Sequence, residues 1–103
     1  MKYEEILGNV KNGKFACREG WNGKGMFIFN FYNSVLCFGS NENFDAEYYD
    51  ISECNDVIKI GDDLEEKEMF KLEDFLLLKT AGNTAIPWTA SQADMFADDW
   101  MIL

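Results

Sequence analysis

The stretch of the sequence best suited to binding chemistry is REGWNGKGM, residues 18–26. It contains Arg18, which is the one arginine of the chain, together with Trp21 and Lys24. A guanidinium can hold a phosphate through two parallel hydrogen bonds, and an indole ring offers a flat face on which a nucleotide base can stack. The glycines in the stretch leave bare backbone that a ligand can approach closely. The pattern indicates a site for a small anion that carries an aromatic group.

These residues also have a purely structural interpretation. Trp21 and a second tryptophan, Trp88, can pack in the core or across a hairpin, as large aromatic side chains commonly do. Arg18 can form an ion pair with Glu19 or with another acid of this acidic chain. The two interpretations differ in whether the guanidinium is available to a ligand, and the sequence leaves both open.

Histidine and the common catalytic motifs are absent from the sequence, and its abundant carboxylates lie in a charge run for which solvation is the ordinary explanation. It has no histidine, no Gly-x-Ser-x-Gly motif and no phosphate-binding loop, and its glycine spacing does not match the dinucleotide-binding fingerprint. The three cysteines, Cys17, Cys37 and Cys54, form no CxxC pair, so we expect them to be reduced and buried rather than to bind zinc. We therefore predict a protein that is not an enzyme and that uses no metal or cofactor.

Composition and charge indicate one small acidic domain. The chain has 103 residues, of which 48% are hydrophobic, and its net charge is −10. Residues 1–30 carry a charge of +2 and residues 31–103 carry −12, so the molecule as a whole would repel a nucleic acid polymer. The N-terminal segment lacks the pattern of a signal peptide, and no apolar run is long enough to cross a membrane. We predict a cytoplasmic protein that binds neither membranes nor nucleic acid polymers.

Hydrophobic periodicity predicts a helix and a hairpin at the start of the chain. Apolar residues recur with helical spacing over residues 3–12, and an Asn-Gly pair ends that helix. The stripe that we expect to be buried consists of Tyr3, Ile6, Leu7 and Val10. Residues 15–31 are predicted to form a β-hairpin about a two-residue turn at Asn22-Gly23. Such a turn would place Arg18 opposite Phe27 and Trp21 opposite Lys24.

The end of the chain predicts a second hairpin and a short helix. The hairpin spans residues 75–87 with its turn at 81–83, and a helix begins at Thr89 with Gln92 completing a capping box. The apolar stripe of that helix consists of Ala93, Phe96, Ala97 and Trp100, and the last residues are a candidate final strand. The expected fold class is α+β: a small antiparallel sheet built from two hairpins, with an N-terminal helix and a short C-terminal helix.

The middle of the chain, residues 32–74, is dominated by acids. Residues 41–74 hold thirteen of the nineteen acidic residues, and a solvated acidic face is the ordinary interpretation of such a run. The segments VLCF and DVIKI are predicted to be short strands, and GDDLEEKE is predicted to be a loop or a solvated helical turn. No calcium-binding loop is recognisable in this segment.

Two motifs resemble the signatures of a known phage family. REGWNGKGM (18–26) and PWTASQADMFADDW (87–100) are similar to the two ends of the second type of Thoeris anti-defence protein, formerly a domain of unknown function. The resemblance covers residues 2–31 and 75–103. It implies one sponge domain over residues 1–103, in which residues 32–74 are a variable acidic insertion.

The resemblance implies a function in evading bacterial immunity. Members of this family sequester a cyclic nucleotide signal, glyco-cyclic ADP-ribose and in some cases cyclic oligonucleotides, without cleaving it. They assemble as homotetramers, and they act in the cytoplasm of the infected bacterial host. Each of these properties is an expectation for this chain.

The resemblance also implies a set of ligand-binding residues. Arg18 and Lys24 would suit the pyrophosphate and Trp21 the base, while residues of the second motif would supply hydrogen bonds to the riboses and base edges. Trp88, Asp99 and Trp100 suit a structural role equally well. The full set of candidate ligand-binding residues is Arg18, Trp21, Asn22, Lys24, Met26, Asn83, Thr84, Trp88, Ser91, Gln92 and Asp94.

A second function remains open at this point. The acidic segment 41–74 also suits a protein-binding phage factor, such as a nucleic-acid mimic that occupies the basic groove of a host enzyme. The complete motif around Arg18 favours the sponge, whereas the acidic run favours the mimic. Calorimetry with glyco-cyclic ADP-ribose distinguishes the two.

Overall fold

The computed structural model describes residues 1–38, 56–60 and 68–103. Its elements in chain order are helix α1 (Tyr3–Lys11), strands β1 (Ala16–Arg18), β2 (Phe27–Phe31), β3 (Ser34–Phe38), β4 (Asp56–Ile60), β5 (Glu68–Leu72), β6 (Phe75–Lys79) and β7 (Ala85–Pro87), helix α2 (Gln92–Phe96) and strand β8 (Trp100–Ile102). They form two compact units, one of residues 1–31 and 75–103, and the other of residues 32–74. Within the described segments, no helix is long and apolar enough to span a membrane.

Helix α1 forms where the apolar spacing predicts it. Glu4 and Glu5 lie in its first turn and Lys11 in its last, an arrangement that the helix dipole favours. Ile6 and Val10 are completely buried, while the other two residues of the predicted stripe are partly buried. The predicted helix is therefore confirmed, and its stripe provides one side of the core.

The first unit is built on a five-stranded antiparallel sheet with the strand order β7-β6-β2-β1-β8. Strands β2 and β6 pair over their whole length, from Phe27 opposite Lys79 to Phe31 opposite Phe75. The chain's last strand, β8, pairs with β1 and forms one edge of the sheet, and β7 forms the other. The α+β class, with a helix at the start and a short helix near the end, is confirmed.

The two faces of this sheet differ in what covers them. Ile6 and Val10 of α1 pack with Ala16, Ile28 and Trp100 to form the buried core on one face. Because side chains alternate along a strand, the neighbouring residues point to the opposite face. A row of phenylalanines lies there, with the rings of Phe15 and Phe27 stacked at 4.8 Å between centroids, and the side chain of Phe15 is 45% exposed.

The predicted two-residue turn at Asn22-Gly23 is wrong. Residues 22–24 form one turn of 3₁₀ helix, and the register pairs Ala16 with Ile28, whereas a two-residue turn would place Ala16 opposite Phe29. The loop between β1 and β2 therefore spans residues 19–26. The carbonyl of Trp21 accepts hydrogen bonds from the amides of Lys24 (2.9 Å) and Met26 (3.2 Å), which closes the loop without a tight hairpin turn.

The second hairpin is confirmed, but the capping of helix α2 differs from the prediction. The N-cap is Ser91 with Asp94 as its partner, so the predicted box of Thr89 and Gln92 is wrong. Helix α2 has only five residues, and the predicted apolar stripe extends beyond its end. As a result Phe96 is 83% exposed instead of buried, whereas Trp100 lies in strand β8 and is 2% exposed.

The second unit contains a three-stranded sheet with the order β4-β3-β5. Strand β3 pairs with β4 in parallel and with β5 antiparallel. The strands at VLCF and DVIKI are confirmed, whereas β5 was not predicted, because its residues adjoin a run of acids that favours a loop. The predicted acidic turn GDDLEEKE lies outside the described residues except for Glu68, and residues 41–45 and Cys54 lie wholly outside them. Of the cysteines, Cys17 is free and buried, as expected, and burial raises the pKa of its thiol.

Candidate functional site

The antiparallel strand order brings three connections to one end of the five-stranded sheet. Strands β1 and β6 end there, and β2, β7 and β8 begin there, as the registers of their pairs require. We call residues 19–26, 80–84 and 97–99 the loop end of the sheet. The amide of Glu19 donates to the carbonyl of Asp99 at 3.0 Å, which joins two of these connections directly. The loop end contains or adjoins most of the candidate residues.

Arg18 is the last residue of β1 and is held by two carboxylates. Its Nε donates to Oδ1 of Asp99 at 3.0 Å, and its Nη1 donates to Oδ1 of Asp94 at 3.1 Å. The side chain is 27% exposed, so these ion pairs are only partly screened by water. The hydrogen bond that Arg18 donates to Asp99 is the main cause that raises the pKa of Arg18. This arrangement favours the ion-pair interpretation of Arg18, with Asp94 and Asp99 as the partners rather than Glu19.

Asp94 connects Arg18 to the start of helix α2. Its Oδ2 accepts hydrogen bonds from the amide of Ser91 at 3.0 Å and from the hydroxyl of Ser91 at 2.8 Å. Burial acts to raise the pKa of the Asp94 carboxyl, but the hydrogen bonds from Ser91 and Arg18 outweigh it, and the pKa is lowered. Ser91 and Asp94 thus lie together with Arg18, as partners of one another. Gln92, the first residue of α2, is exposed beside them.

The candidate tryptophans pack edge to face around Trp100. Trp21 lies 5.3 Å from Trp100 between ring centroids at an interplanar angle of 80°, and Trp88 lies 6.0 Å from it at 82°. The indole N–H of Trp100 donates to the carbonyl of Asp94 at 2.9 Å. Tyr3 of α1 contacts this group as well, with its ring 5.8 Å from that of Trp100. Trp21 and Trp88 are partly buried against the core, so each leaves only part of its surface for a ligand.

The turn between β6 and β7 carries two more candidate residues, both exposed. Asn83 adopts a left-handed conformation with φ 62°, and its amide donates to the carbonyl of Thr80 at 3.1 Å. The hydroxyls of Thr80 and Thr84 are 2.6 Å apart, which closes the turn. The turn connects to the first loop through Lys79, whose ammonium donates to the carbonyl of Gly25 at 2.8 Å.

The remaining candidates lie in the first loop. Lys24 is exposed at the end of the 3₁₀ turn, and Met26 is half-buried just before β2. Asn22 begins the 3₁₀ turn. The sequence prediction missed Lys79, although a lysine immediately before a predicted turn is a detectable signal. The sequence prediction placed Tyr3 in the core and did not anticipate its contacts with Trp88 and Trp100.

A cavity of about 340 Å³ lies between the start of α1 and the end of α2, and none of the candidate residues lines it. Its lining consists of Lys2, Glu4, Met95, Phe96, Ala97 and Asp98. Two carboxylates face it against one ammonium, so its charge does not suit an anionic ligand. Within the segments that the structure describes, no three acids or cysteines converge in a geometry suited to a metal ion.

Comparison with known proteins identifies the family. A family model described as the Thoeris anti-defense 2-like domain matches residues 1–103. The chain is also 30% identical over 103 residues to Thoeris anti-defense 2 of Bacillus phage SP01, and the match covers 100% of this chain and 94% of that protein. A match over the whole length leaves no part of the chain outside the domain that defines the family, and the chain therefore belongs to the Thoeris anti-defense 2-like family.

Proposed function

We propose that this anti-defence protein acts as a sponge: it binds glyco-cyclic ADP-ribose, or a related cyclic nucleotide signal, and holds it without cleaving it. The observation that carries the proposal is the convergence of the loop 19–26 and the turn 80–84 at one end of the sheet. These connections carry Lys24, the exposed amide and hydroxyl of Asn83 and Thr84, and the partly exposed ring of Trp21, and Lys79 lies where the turn begins. A nucleotide needs this combination of positive charge, hydrogen-bonding groups and an apolar face.

The state of the carboxylates supports binding rather than turnover. A general acid or base works best when its pKa lies near the operating pH. The pKa of Asp94 is instead lowered, and its oxygens already accept hydrogen bonds from Ser91 and Arg18. Asp99 is likewise occupied by Arg18. Neither carboxylate is placed to move a proton on a ligand. This supports a protein that sequesters its signal without changing it chemically.

Calorimetry followed by recovery of the ligand tests the proposal. We expect glyco-cyclic ADP-ribose to bind with a nanomolar dissociation constant, which corresponds to about 12 kcal/mol. A sponge must bind at or below the signal concentration to suppress it. After heat denaturation, chromatography should return the ligand intact. A linear or hydrolysed product would show that the protein is an enzyme and would reject sequestration.

We also propose that the protein assembles into a homo-oligomer, with a tetramer as the expected state. The row of phenylalanines on the face opposite α1 supports this, because Phe15 is 45% exposed and Phe27, Phe29 and Phe75 are only partly covered. Large exposed apolar patches usually mark interfaces, and closed symmetric assemblies are the usual result. Light scattering at micromolar concentration should give a mass of several chains of 11.9 kDa. A monomer mass would contradict the proposal.

The distribution of charge supports a second candidate function. Residues 32–74 contain thirteen acids and three lysines, and the rest of the chain contains six acids and six bases. The net charge of −10 therefore belongs entirely to the second unit. Such a concentration of acids suits an acidic factor that binds the basic groove of a host protein. If calorimetry detects neither glyco-cyclic ADP-ribose nor cyclic oligonucleotides, this function becomes the better explanation.

A further inference from the structure

We propose that Lys79, assisted by Lys24, supplies the positive charge that holds the phosphates of an anionic ligand at the loop end of the sheet, and that Arg18 does not. The ligand class is a nucleotide that carries a diphosphate. The inference rests on the proposed function for the identity of the nucleotide, but the anion site itself is testable with inorganic pyrophosphate alone.

The first step is that the charge of Arg18 is already compensated. Its Nε and Nη1 are used by Asp99 and Asp94, so the three side chains together carry a net negative charge. A phosphate that approached Arg18 would meet both carboxylates at short range, and like charges at such distances oppose one another strongly. The arginine is therefore better suited to joining β1, α2 and β8 than to binding an anion.

The second step is that Lys79 keeps its charge available. Its ammonium donates one hydrogen bond of 2.8 Å to a neutral acceptor, the carbonyl of Gly25. No carboxylate of the described segments lies within salt-bridge distance of it, since both ion pairs there belong to Arg18. An ammonium has three donors, so two remain for a ligand. The contact with Gly25 fixes the ammonium where the first loop meets the end of β6.

The third step concerns the acids of the surrounding chain. Residues 20–31 and 75–93 contain no aspartate or glutamate, although the chain has nineteen acids, and their two charged residues are Lys24 and Lys79. These two segments include β2 and β6, which pair along their full length. These paired segments themselves contribute no carboxylate, whereas Glu19, Asp98 and Asp99 of the loop end lie outside them. Lys24 and Lys79 are therefore the charges that these two segments offer to an anion.

The fourth step is steric and involves Gly25. Its φ of 67° lies in the left-handed region, and a Cβ at this position would lie 3.3 Å from Nζ of Lys79. Any other side chain here would crowd the ammonium and strain the backbone. The absence of a side chain leaves space beside Nζ, whereas the hydroxyl of the next residue, Thr80, is already bonded to Thr84 within the turn. The site thus combines an available cation with open backbone.

Charge-neutral variants test the proposal by calorimetry with glyco-cyclic ADP-ribose. Lys79→Gln removes the charge but keeps a donor for the Gly25 carbonyl, and we expect it to weaken binding about ten- to a hundredfold. Lys24→Gln should weaken binding by a smaller factor, because Lys24 is exposed. Lys14→Gln is the matched control: it changes the net charge equally but precedes β1 at the opposite end of the strand, and it should bind within about twofold of the parent.

One further variant and a measurement of stability complete the test. Lys79→Arg retains the charge and should bind far more tightly than Lys79→Gln, which separates charge from folding. Melting temperatures of all variants establish that they are folded. If Lys79→Gln is folded and binds as tightly as the parent protein, the assignment of Lys79 is overturned. If Lys79→Gln and Lys14→Gln weaken binding equally, it is also overturned, because the effect would then be one of net charge.

A titration with inorganic pyrophosphate distinguishes failure of this inference from failure of the proposed function. In the parent protein, we expect the amide resonances of Gly25, Lys79 and Thr80 to shift when pyrophosphate is added. In Lys79→Gln, we expect pyrophosphate to leave the resonances of Gly25 and Thr80 unchanged. That result would support the anion site even if glyco-cyclic ADP-ribose does not bind, in which case only the identity of the ligand would be rejected. Shifts confined to Arg18, Asp94 and Asp99, or no shifts at all, would overturn the inference.

Discussion

Trp100→Ala is expected to lower the free energy of unfolding by about 3–5 kcal/mol, the usual cost of removing a large buried aromatic side chain. Trp100 is 2% exposed and belongs to the core that α1 completes with Ile6 and Val10. Its ring is also the common neighbour of Tyr3, Trp21 and Trp88. Removal of the side chain would therefore leave a cavity beneath the helix and separate three aromatic rings from their shared contact.

The hydrogen bond of Trp100 adds to this cost. Its indole N–H donates to the carbonyl of Asp94 at 2.9 Å and so holds helix α2 against β8. Trp100→Phe keeps most of the apolar contact but removes this donor, and we expect a loss of about 1–3 kcal/mol. The graded effect of the two substitutions would separate packing from hydrogen bonding.

Phe96→Ala is the matched control for Trp100→Ala. Phe96 is an aromatic residue of the same segment but is 83% exposed. Its removal should change the free energy of unfolding by less than about 0.5 kcal/mol. Thermal unfolding followed by near-ultraviolet circular dichroism measures all three variants. Equal destabilisation by Phe96→Ala and Trp100→Ala would contradict the position of Trp100 at the centre of the core.

The sequence was most informative where local chemistry determines the structure. The apolar spacing of residues 3–12 was sufficient to predict α1, because the same stripe both forms one helix face and fills the core. The second hairpin followed from its glycine-containing turn and from Pro87, which cannot donate within a sheet and lies at the end of an edge strand. In these places local preference and tertiary packing agree.

The sequence failed where a distant contact selects between local alternatives. Thr89 with Gln92 and Ser91 with Asp94 are both acceptable capping boxes. Asp94 also pairs with Arg18, 76 residues earlier in the chain, and this long-range contact favours the second box. The Asn22-Gly23 pair failed for a similar reason. Pairing of Ala16 with Ile28 sets the register of β1, and that register requires a longer loop than the dipeptide alone would form.

The candidate site shows the same limit. Arg18, Ser91 and Asp94, which come from both motifs, lie close together in the fold. The motifs could not show that the carboxylates occupy the arginine, since its partners are 76 and 81 residues away. Lys79 was missed because its significance depends on pairing between β6 and β2 and on a carbonyl 54 residues earlier.

Asp94→Asn is expected to destabilise the protein at neutral pH and to reduce the loss of stability in acid. The folded state lowers the pKa of Asp94 below its ordinary value of 3.8. A carboxyl with a lowered pKa contributes its full stabilisation above that ordinary value, and the contribution is lost as the pH falls through the folded pKa. At pH 7 the substitution leaves Nη1 of Arg18 with a neutral acceptor in place of a carboxylate, so we expect a loss of about 1–3 kcal/mol.

The pH dependence distinguishes this ion pair from general effects of charge. The gap in stability between the parent and Asp94→Asn should be largest at pH 7 and should narrow as the pH falls below 3.8, because the parent carboxyl is then protonated too. Asp98→Asn removes the same charge from an exposed side chain four residues away and should remain within about 0.5 kcal/mol of the parent. Urea unfolding at pH 7, 5, 4 and 3 measures the gap. A gap that is constant over this range would exclude the proposed linkage.

The same variant discriminates between the two interpretations of Arg18. If Arg18 bound the phosphates of the ligand, Asp94 would compete with the ligand for Nη1, and Asp94→Asn would strengthen binding. If the arginine instead joins β1 to α2, the substitution removes a constraint on the loop end without providing a better anion site, because Asp99 still holds Nε. We therefore expect the affinity for glyco-cyclic ADP-ribose to be unchanged or weaker. A clear gain in affinity would indicate that Arg18, rather than Lys79, binds the phosphates of the ligand.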